Sequence, residues 1–136
     1  MNYVDPSPEH WALFKSLPRD TPIHMLNFIK LKEQAEYPEG HPCAALCWSG
    51  ARAYDEYVTR LKHFLAPLGA AMVWEGVFEC MVTGPETFEW DKVFVMGYPD
   101  SKAFFAMITA PEYQAEIVPH RSAAVLDSRL VRYGAG

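Results

Sequence analysis

An imidazole and a guanidinium stand side by side late in this chain, at His120 and Arg121. The surrounding segment is otherwise rich in apolar residues, so these polar groups must either be hydrogen-bonded or line a site. An imidazole titrates near neutral pH and can move a proton, while a guanidinium can hold a carboxylate, phenolate or enolate. The pair predicts acid–base catalysis by His120 on an anion held by Arg121. A structural alternative stays open, in which His120 caps a helix C-terminus and Arg121 pairs with Asp127.

Glu75 is the third candidate for a catalytic role. It lies between Val73 and Val77 on one face of a predicted strand, and burial in that apolar setting would raise the pKa of its carboxyl group. A carboxylate with a raised pKa suits a general base for enolisation. The more ordinary alternative is a salt bridge to Arg121, to Arg129 or to a partner chain.

Five further residues are candidates for binding a substrate. Asn27 interrupts an apolar strand, where its amide could hold a ligand carbonyl or satisfy the backbone of a sheet edge. Aromatic side chains on the predicted inner faces could line a pocket, although core packing with the hydroxyl group at its rim explains the tyrosines equally well. These aromatic candidates are Tyr54, Tyr57, Trp74 and Tyr113.

Asp127 and Arg129 lie two residues apart and therefore share one face of the last predicted strand. A structural ion pair, within one subunit or between two, is favoured over a role in a site.

The elements that must position these residues follow from turn signals and hydrophobic periodicity. The most regular pattern is that of Tyr54, Tyr57, Leu61 and Leu65, which lie on one face of an amphipathic helix. Predicted helices cover an N-terminal segment opened by Ser7-Pro8-Glu9, then 51–66, and a helix from 101 that Pro111 interrupts; predicted strands cover 21–31, 71–82, 91–98 and 125–133.

This order, a helix followed by β-α-β-β-α-β, predicts an α+β protein with a ferredoxin-like sandwich and an extra N-terminal helix, in a single domain over residues 1–136. Two helices cover one face of such a sheet, yet the strands are apolar on both faces. The uncovered face therefore predicts a homodimer, with two sheets forming a dimeric α/β barrel.

A connection of 18 residues, 32–49, has no predicted regular structure and suggests a lid, a flap or an arm that contacts a partner. It contains Cys43 and Cys47, but no second pair of ligands at matching spacing, so no metal site is predicted. The odd total of three cysteines is typical of a reduced compartment.

The overall composition disfavours several classes of protein. With a net charge of −5 and a pI near 5.5, the chain lacks the basic face that binding to nucleic acid or to an anionic membrane requires. It has no apolar run of roughly 18 residues and no signal peptide, which predicts a cytoplasmic protein. It also has no glycine-rich phosphate loop, zinc signature or Rossmann fingerprint, so no cofactor is predicted.

From about residue 5 to residue 133 the chain resembles the long form of domain-of-unknown-function family 1330, in the dimeric α/β-barrel superfamily. An ordered set of short segments carries the resemblance: PIHMLN at 22–27, SG at 49–50, AY at 53–54, WEG at 74–76, WD at 90–91, YP at 98–99, PEY at 111–113, HR at 120–121 and DSRL at 127–130. The resemblance implies a ferredoxin-like fold and a homodimer but no established reaction. Members of the superfamily include cofactor-free monooxygenases, isomerases and cyclases, haem enzymes and regulatory ligand-binding domains, so the fold alone does not select one chemistry.

Two functional hypotheses follow. In the first, the chain is a homodimeric small-molecule-binding protein and a cofactor-free enzyme that acts by proton transfer or oxygen insertion on a small organic substrate. His120 would be its acid or base, Arg121 the anion clamp, and Asn27 and Tyr54 the orienting donors, in a pocket between helices and sheet. In the second, the chain is a non-catalytic ligand-sensing or assembly module.

Overall fold

The computed structural model describes residues 2–134. Met1 and residues 135–136 of the predicted domain lie outside the described residues. The regular elements are α1 (Pro8–Ser16), β1 (Ile23–Leu31), α2 (Gly50–Leu65), a 3₁₀ turn (Ala66–Leu68), β2 (Ala71–Gly76), β3 (Lys92–Tyr98), α3 (Ser101–Thr109), a π-helical turn (Tyr113–Ile117), α4 (Val118–Ala124) and β4 (Val125–Gly134).

The four strands form one antiparallel sheet in the order β2-β3-β1-β4. Strand β1 lies in the middle, with Asn27 opposite Phe94 of β3 and Leu130 of β4. This order and the helices α2 and α4 confirm the predicted α+β, ferredoxin-like fold. The register of β2 shifts between Met72 and Trp74, a bulge at the outer edge of the sheet.

The core lies between the helical layer and one face of the sheet. Alternate residues of β1 and β3 point into it, as the period of two along a strand requires. From the helices, the 3.6-residue period brings one stripe of α2 onto this face. The buried contributors include Ile23, Met25, Ile29, Tyr54, Tyr57, Leu61, Leu65, Phe94, Met96, Tyr98, Tyr113 and Ile117.

Helix α1 begins as predicted, because the Ser7 hydroxyl accepts a hydrogen bond from the His10 amide at 3.1 Å. The helix has no buried residue and attaches through aromatic contacts to α3. Trp11 and Phe14 stack with ring centroids 5.4 Å apart, and both contact Phe105 at the same distance. The extra helix thus packs against α3, and its Phe14 also contacts Arg132 of β4.

One predicted boundary and one predicted alternative were wrong. The second strand ends at Gly76 rather than at Val82, because β3 pairs with β2 only as far as Gly76. The following segment, 77–91, instead brings two aromatic rings close to Phe28. The ring centroids of Phe88 and Trp90 lie 5.9 and 6.0 Å from that of Phe28. Helix α4 continues to Ala124, so His120 lies inside it and does not cap its C-terminus.

The face of the sheet opposite the helices carries a mostly apolar surface, which we call the open face. Its residues alternate with the buried ones along each strand. Trp74, Val131 and Tyr133 are 55%, 38% and 55% exposed there. The other members are His24, Leu26, Phe28, Val93 and Val95, all half-buried. Within residues 2–134 no helix is long and apolar enough to span a bilayer.

Gly50, at the first position of α2, provides a test of the close approach between the start of α2 and the start of the connection 32–49 at Lys32. A Cβ atom at this position would overlap the backbone carbonyl oxygen of Lys32. We expect Gly50→Ala to lower the free energy of unfolding by about 1–3 kcal/mol, because neither backbone segment can move without breaking hydrogen bonds. Urea denaturation measures the change. Gly134→Ala is the control, since nothing lies within 4 Å of its added methyl group; equal stabilities of the two variants would contradict the close approach.

Candidate functional site

His120 is buried beneath the connection 32–49, with only 3% of its surface exposed. Its Nδ1 atom lies 2.7 Å from the hydroxyl oxygen of Tyr37. Two more rings surround it, with centroids 5.8 Å away for His41 and 6.4 Å away for Trp48. We call these four residues the imidazole cluster. The sequence singled out His120 but not the other three, which lie in a segment without hydrophobic periodicity.

The imidazole of His120 is neutral at pH 7. Burial lowers its pKa, the cations of Arg60 and Arg52 add to this effect, and Glu56 opposes it. Burial also raises the pKa of Tyr37 to about 12, so its hydroxyl keeps its proton. The Tyr37 O–H can therefore donate to Nδ1 of the neutral ring, which places the ring proton on Nε2.

The connection 32–49 is fixed at its base and forms a cover over His120. Backbone hydrogen bonds join the Lys32 amide to the Ala124 carbonyl at 2.8 Å and the Glu36 amide to the Ala123 carbonyl at 2.9 Å. A third, from the Ala35 amide to the Trp48 carbonyl at 3.0 Å, closes the connection on itself. These bonds attach the base of the connection to the end of α4.

Charged side chains of α2 border this cover. The guanidinium of Arg52 lies 4.0 Å from the ring centroid of Trp48, a cation–π contact. Glu56 bridges Arg52 and Arg60 with nitrogen–oxygen distances of 3.3 Å to each. The two arginines of this partly exposed ion-pair network oppose protonation of His120, and Glu56 favours it.

Three tyrosines form a second group in the interior, which we call the tyrosine cluster: Tyr54, Tyr57 and Tyr113. Tyr54 is 1% exposed, and the hydroxyl oxygens of Tyr57 and Tyr113 lie 3.1 Å apart. Burial raises the pKa of all three hydroxyl groups. The positive charge of Arg121 acts on the pKa of all three in the opposite direction and lowers it.

Arg121 contacts only neutral groups among its hydrogen-bond partners in residues 2–134. Its Nη1 donates to the carbonyl of Val4 at 2.9 Å, and its Nη2 lies 3.4 Å from the hydroxyl of Ser128. The predicted alternative of an Arg121–Asp127 pair was wrong. Asp127 instead pairs with Arg129 at 2.7 Å, as the spacing in β4 predicts.

The carboxyl group of Asp127 is held ionised by its neighbours. Partial burial opposes ionisation, but hydrogen bonds from the Tyr3 amide and from Arg129 outweigh it and lower the pKa of Asp127. Its carboxylate is therefore already engaged, and Arg121 is left without a carboxylate in the described part of the chain.

Asn27 faces the helical layer, since it alternates with half-buried residues and lies opposite Phe94, whose ring is 6.5 Å from that of Tyr54. Its Nδ2 donates to the Met25 carbonyl at 3.0 Å. The amide thus bonds to strand backbone, but β1 is central and its register shift lies at Lys30–Leu31, so the predicted sheet edge or bulge at Asn27 was wrong.

Glu75 and Trp74 lie elsewhere, on the edge strand β2. Glu75 is exposed, so the apolar burial expected for its carboxyl group was wrong; the bulge before Trp74 and the early end of β2 leave it at the rim of the sheet. The ring of Trp74 lies over the Cα of Gly76 on the open face, with more than half of its surface exposed. Neither residue contributes to the imidazole or tyrosine cluster.

His120 and Arg121 thus adjoin different clusters, although they are neighbours in sequence. Successive residues of a helix point about 100° apart, which carries the ring towards the connection 32–49 and the guanidinium towards the N-terminal segment. Two cavities are outlined away from both: one of about 250 Å³ between α2 and the β2–β3 edge, and one of about 320 Å³ near the end of α2. None of the predicted site residues lines either of them.

No group of three metal-ligating side chains occurs in residues 2–134. Cys43 is half-buried and Cys47 exposed, both with free thiols.

Comparisons with known proteins show which solved structures this chain resembles in sequence and in fold. No model of a known family matches the sequence, and no curated protein is significantly similar to it. A solved structure of a protein of unknown function from Rhodopseudomonas palustris is 40% identical, with a TM-score of 0.89; the match covers 100% of this chain and 98% of that one.

Two more distant structures agree with the fold alone. A dimeric protein of unknown function with a ferredoxin-like fold from Bacteroides fragilis is 10% identical over 87% of this chain and 100% of its own, with a TM-score of 0.52. SnoaB, a cofactor-independent oxygenase from Streptomyces nogalater, is 13% identical over 85% and 94%, with a TM-score of 0.50.

The lowered pKa of His120 predicts a pH dependence of stability. Because its folded-state pKa lies below the usual value of 6.5, the unfolded chain takes up a proton first as the pH falls. The free energy of unfolding should therefore decrease from pH ~7 downwards through 6.5 until the folded-state pKa is reached. We expect His120→Gln to flatten this slope in urea denaturation series. His63→Gln, at an exposed position of α2, should keep it; a slope unchanged in His120→Gln would contradict burial of the neutral ring.

Proposed function

This chain belongs to the same family as the Rhodopseudomonas palustris protein, and we propose that it is a homodimeric protein that binds a small organic anion beside Arg121 and acts on it by proton transfer without a tightly bound cofactor. We further propose that both proteins are members of domain-of-unknown-function family 1330, on the ordered sequence segments that carry that resemblance. The proposed ligand lies between the helical layer and β4, among the tyrosine cluster.

The observation that carries the proposal is a guanidinium whose hydrogen bonds within residues 2–134 go to a backbone carbonyl and a serine hydroxyl and to no carboxylate. A partly buried cation is costly unless a charge of opposite sign accompanies it. Arg121 donates to a backbone carbonyl and a serine hydroxyl, which are weaker partners than an anion. A carboxylate or enolate would supply the missing charge.

The tyrosine hydroxyls suit such a ligand. Their pKa values are raised by burial, so they keep their protons and can donate hydrogen bonds to an anionic oxygen. Arg121 opposes that rise and stabilises negative charge that develops near it. The Tyr57–Tyr113 hydrogen bond, with oxygens 3.1 Å apart, orients these two hydroxyl groups relative to each other.

A second candidate function is acid–base chemistry by His120 beneath the connection 32–49. The observation in its favour is that the ring is neutral, buried and oriented by the Tyr37 hydroxyl at 2.7 Å, as a general base requires. A substrate would reach Nε2 only when the cover opens. The same hydrogen bond equally suits a non-catalytic module in which His120 fastens the connection.

Oxygen insertion belongs to the proposal only by analogy. SnoaB is a cofactor-independent oxygenase, and its likeness to this chain concerns the fold. An interior with a cation and several hydroxyls could stabilise the enolate or phenolate that such chemistry needs.

The homodimer is proposed from the open face. Leu26, Val93 and Val95 lie at its centre, with Trp74 and Val131 exposed on either side. An apolar sheet face that no helix covers is a typical interface, and burying it against the same face of a second copy satisfies a two-fold axis.

The oligomeric state is therefore expected to change with a charge on the open face. Val95→Asp should convert the dimer into a monomer, because an unpaired carboxylate would be buried at the centre of the interface. Light scattering of the purified protein at micromolar concentration measures the mass. Thr59→Asp introduces the same charge on the exposed side of α2 and should leave the dimer intact. A monomeric mass for the unaltered protein would contradict the proposal.

Ligand binding tests the anion site with a matched pair of small molecules. Sodium benzoate should bind, while benzyl alcohol, of similar size but neutral, should bind at least tenfold more weakly. Arg121→Gln should weaken benzoate binding about tenfold or more, because a charged hydrogen bond contributes roughly 1.5–3 kcal/mol. Isothermal titration calorimetry gives the affinities.

The control for that experiment is Arg132→Gln. Arg132 is also half-buried and also donates to backbone carbonyls, those of Phe14 and Pro18, but it lies at the other end of β4. We expect it to keep benzoate affinity. Equal affinities for benzoate and benzyl alcohol, or equal losses in both arginine variants, would refute the anion site. His120→Gln is expected to retain benzoate binding, and its loss would favour the second candidate.

A further inference from the structure

The N-terminal segment passes Arg121 and the start of β4 as a short stretch without regular structure, residues 3–5, which we call the strap. Four contacts hold it. The Tyr3 amide donates to Asp127 at 2.7 Å, the Ser128 hydroxyl donates to the Tyr3 carbonyl at 2.8 Å, and the Arg129 guanidinium lies 4.8 Å from the Tyr3 ring centroid. The fourth contact is the 2.9 Å hydrogen bond from Arg121 to the Val4 carbonyl.

The last of these contacts occupies the cation on which the proposed function rests. A backbone carbonyl carries only a partial negative charge, so it satisfies the geometry of Arg121 without neutralising it. A carboxylate presents two ionised oxygens and can accept a bidentate pair from the same guanidinium, which is roughly twice as strong per hydrogen bond. The Val4 carbonyl therefore fills the place of a better ligand.

Apart from the hydrogen bond between the Tyr3 amide and the Asp127 carboxylate, the rest of the strap is held by neutral or exposed contacts. The Tyr3 side chain is half exposed, and Asp5 is exposed. A cation–π contact at an exposed site contributes little compared with a charged hydrogen bond inside the protein. The Asp5 carboxylate also lies close enough to Tyr113 to raise the pKa of its hydroxyl, so displacement of the strap would remove a negative charge from the vicinity of an incoming anion.

We propose that the strap is a displaceable competitor for the anion site: a small aromatic carboxylate binds by replacing the Val4 carbonyl on Arg121, and binding releases residues 3–5 from β4. This inference rests on the proposed anion site and adds that residues 3–5 occupy it when no ligand is bound. The ligand class follows from the partners, since the guanidinium selects a carboxylate and the tyrosine rings favour an aromatic group beside it. The strap then sets the affinity by the free energy needed to detach it.

The test uses sodium benzoate with the full chain and two variants. Tyr3→Ala removes the ring that contacts Arg129 and leaves Arg121 and the tyrosine cluster unchanged. Leu13→Ala is the matched control, because it removes an exposed apolar side chain of α1 that has no part in the strap. Calorimetry measures affinity, and a nitrogen–proton correlation spectrum follows the backbone amides of Tyr3 and Asp5.

We expect benzoate to bind Tyr3→Ala about two- to fivefold more tightly than it binds the unaltered chain or Leu13→Ala. The reason is that loss of an exposed cation–π contact makes detachment of the strap easier by about this factor. Benzoate should also move the Tyr3 amide signal of the unaltered chain to the position of an unstructured residue. Binding by Tyr3→Ala alone would support the strap as a complete block.

Two results would overturn the inference in distinguishable ways. If benzoate binds and Arg121→Gln abolishes binding, but the Tyr3 amide does not move and Tyr3→Ala matches Leu13→Ala, the anion site stands and the strap is not its competitor. If neither the unaltered chain nor Tyr3→Ala binds benzoate, both the strap and the anion site beneath it are refuted.

Discussion

The alternation of side chains along β1 is the constraint on which the rest of this molecule depends. The strand hydrogen-bonds to β3 on one side and to β4 on the other, so its register fixes both neighbours. Every second residue then faces the helical layer and the others face away. A shift of one residue would exchange the two sets and bring His24 and Lys30 into the core. The core and the open face take their places from this one register.

The two polar clusters illustrate different solutions to the cost of burying polar groups. In the imidazole cluster the solution is local: His120 remains neutral, Tyr37 satisfies its Nδ1 atom, and cations nearby disfavour a second proton. In the tyrosine cluster a full charge is retained on Arg121, and only neutral oxygens contact it. The first arrangement is complete within the chain. In the second arrangement the charge of Arg121 is not paired with an anion among the described residues, which is why the proposed ligand is placed there.

Much of the fold could be predicted from the sequence, because its strongest patterns are local. The stripe of Tyr54, Tyr57 and Leu61 repeats at the period of a helix, and Ile23, Met25 and Ile29 repeat at the period of a strand. The end of β2 could not be predicted in this way. Residues 77–82 are as apolar as a strand, but strand formation needs a partner, and β3 offers none beyond Gly76.

The candidate site was harder to predict, for two physical reasons. Adjacency of His120 and Arg121 in sequence suggested a shared pocket, whereas on a helix adjacent side chains diverge and adjoin different elements. The residues around His120 come from an irregular connection, whose path depends on backbone hydrogen bonds to α4 rather than on any repeating pattern. Tyr37 and Trp48 are aromatic residues in a stretch rich in proline and exposed residues, and that contrast was the available signal.

The π-helical turn at Tyr113–Ile117 sets the phase between the two halves of the second helical segment. The Val118 amide bonds to the Tyr113 carbonyl five residues earlier, and Pro119, which has no amide proton, cannot provide the ordinary helical bond that would follow. Such a turn is equivalent to one residue inserted into a regular helix. Removing that residue would rotate Tyr113 by about 100° relative to His120 and Arg121. Deleting one residue here would thus keep the fold while presenting a different set of side chains to the interior, so the length of this segment, and not only its composition, determines what the interior contains.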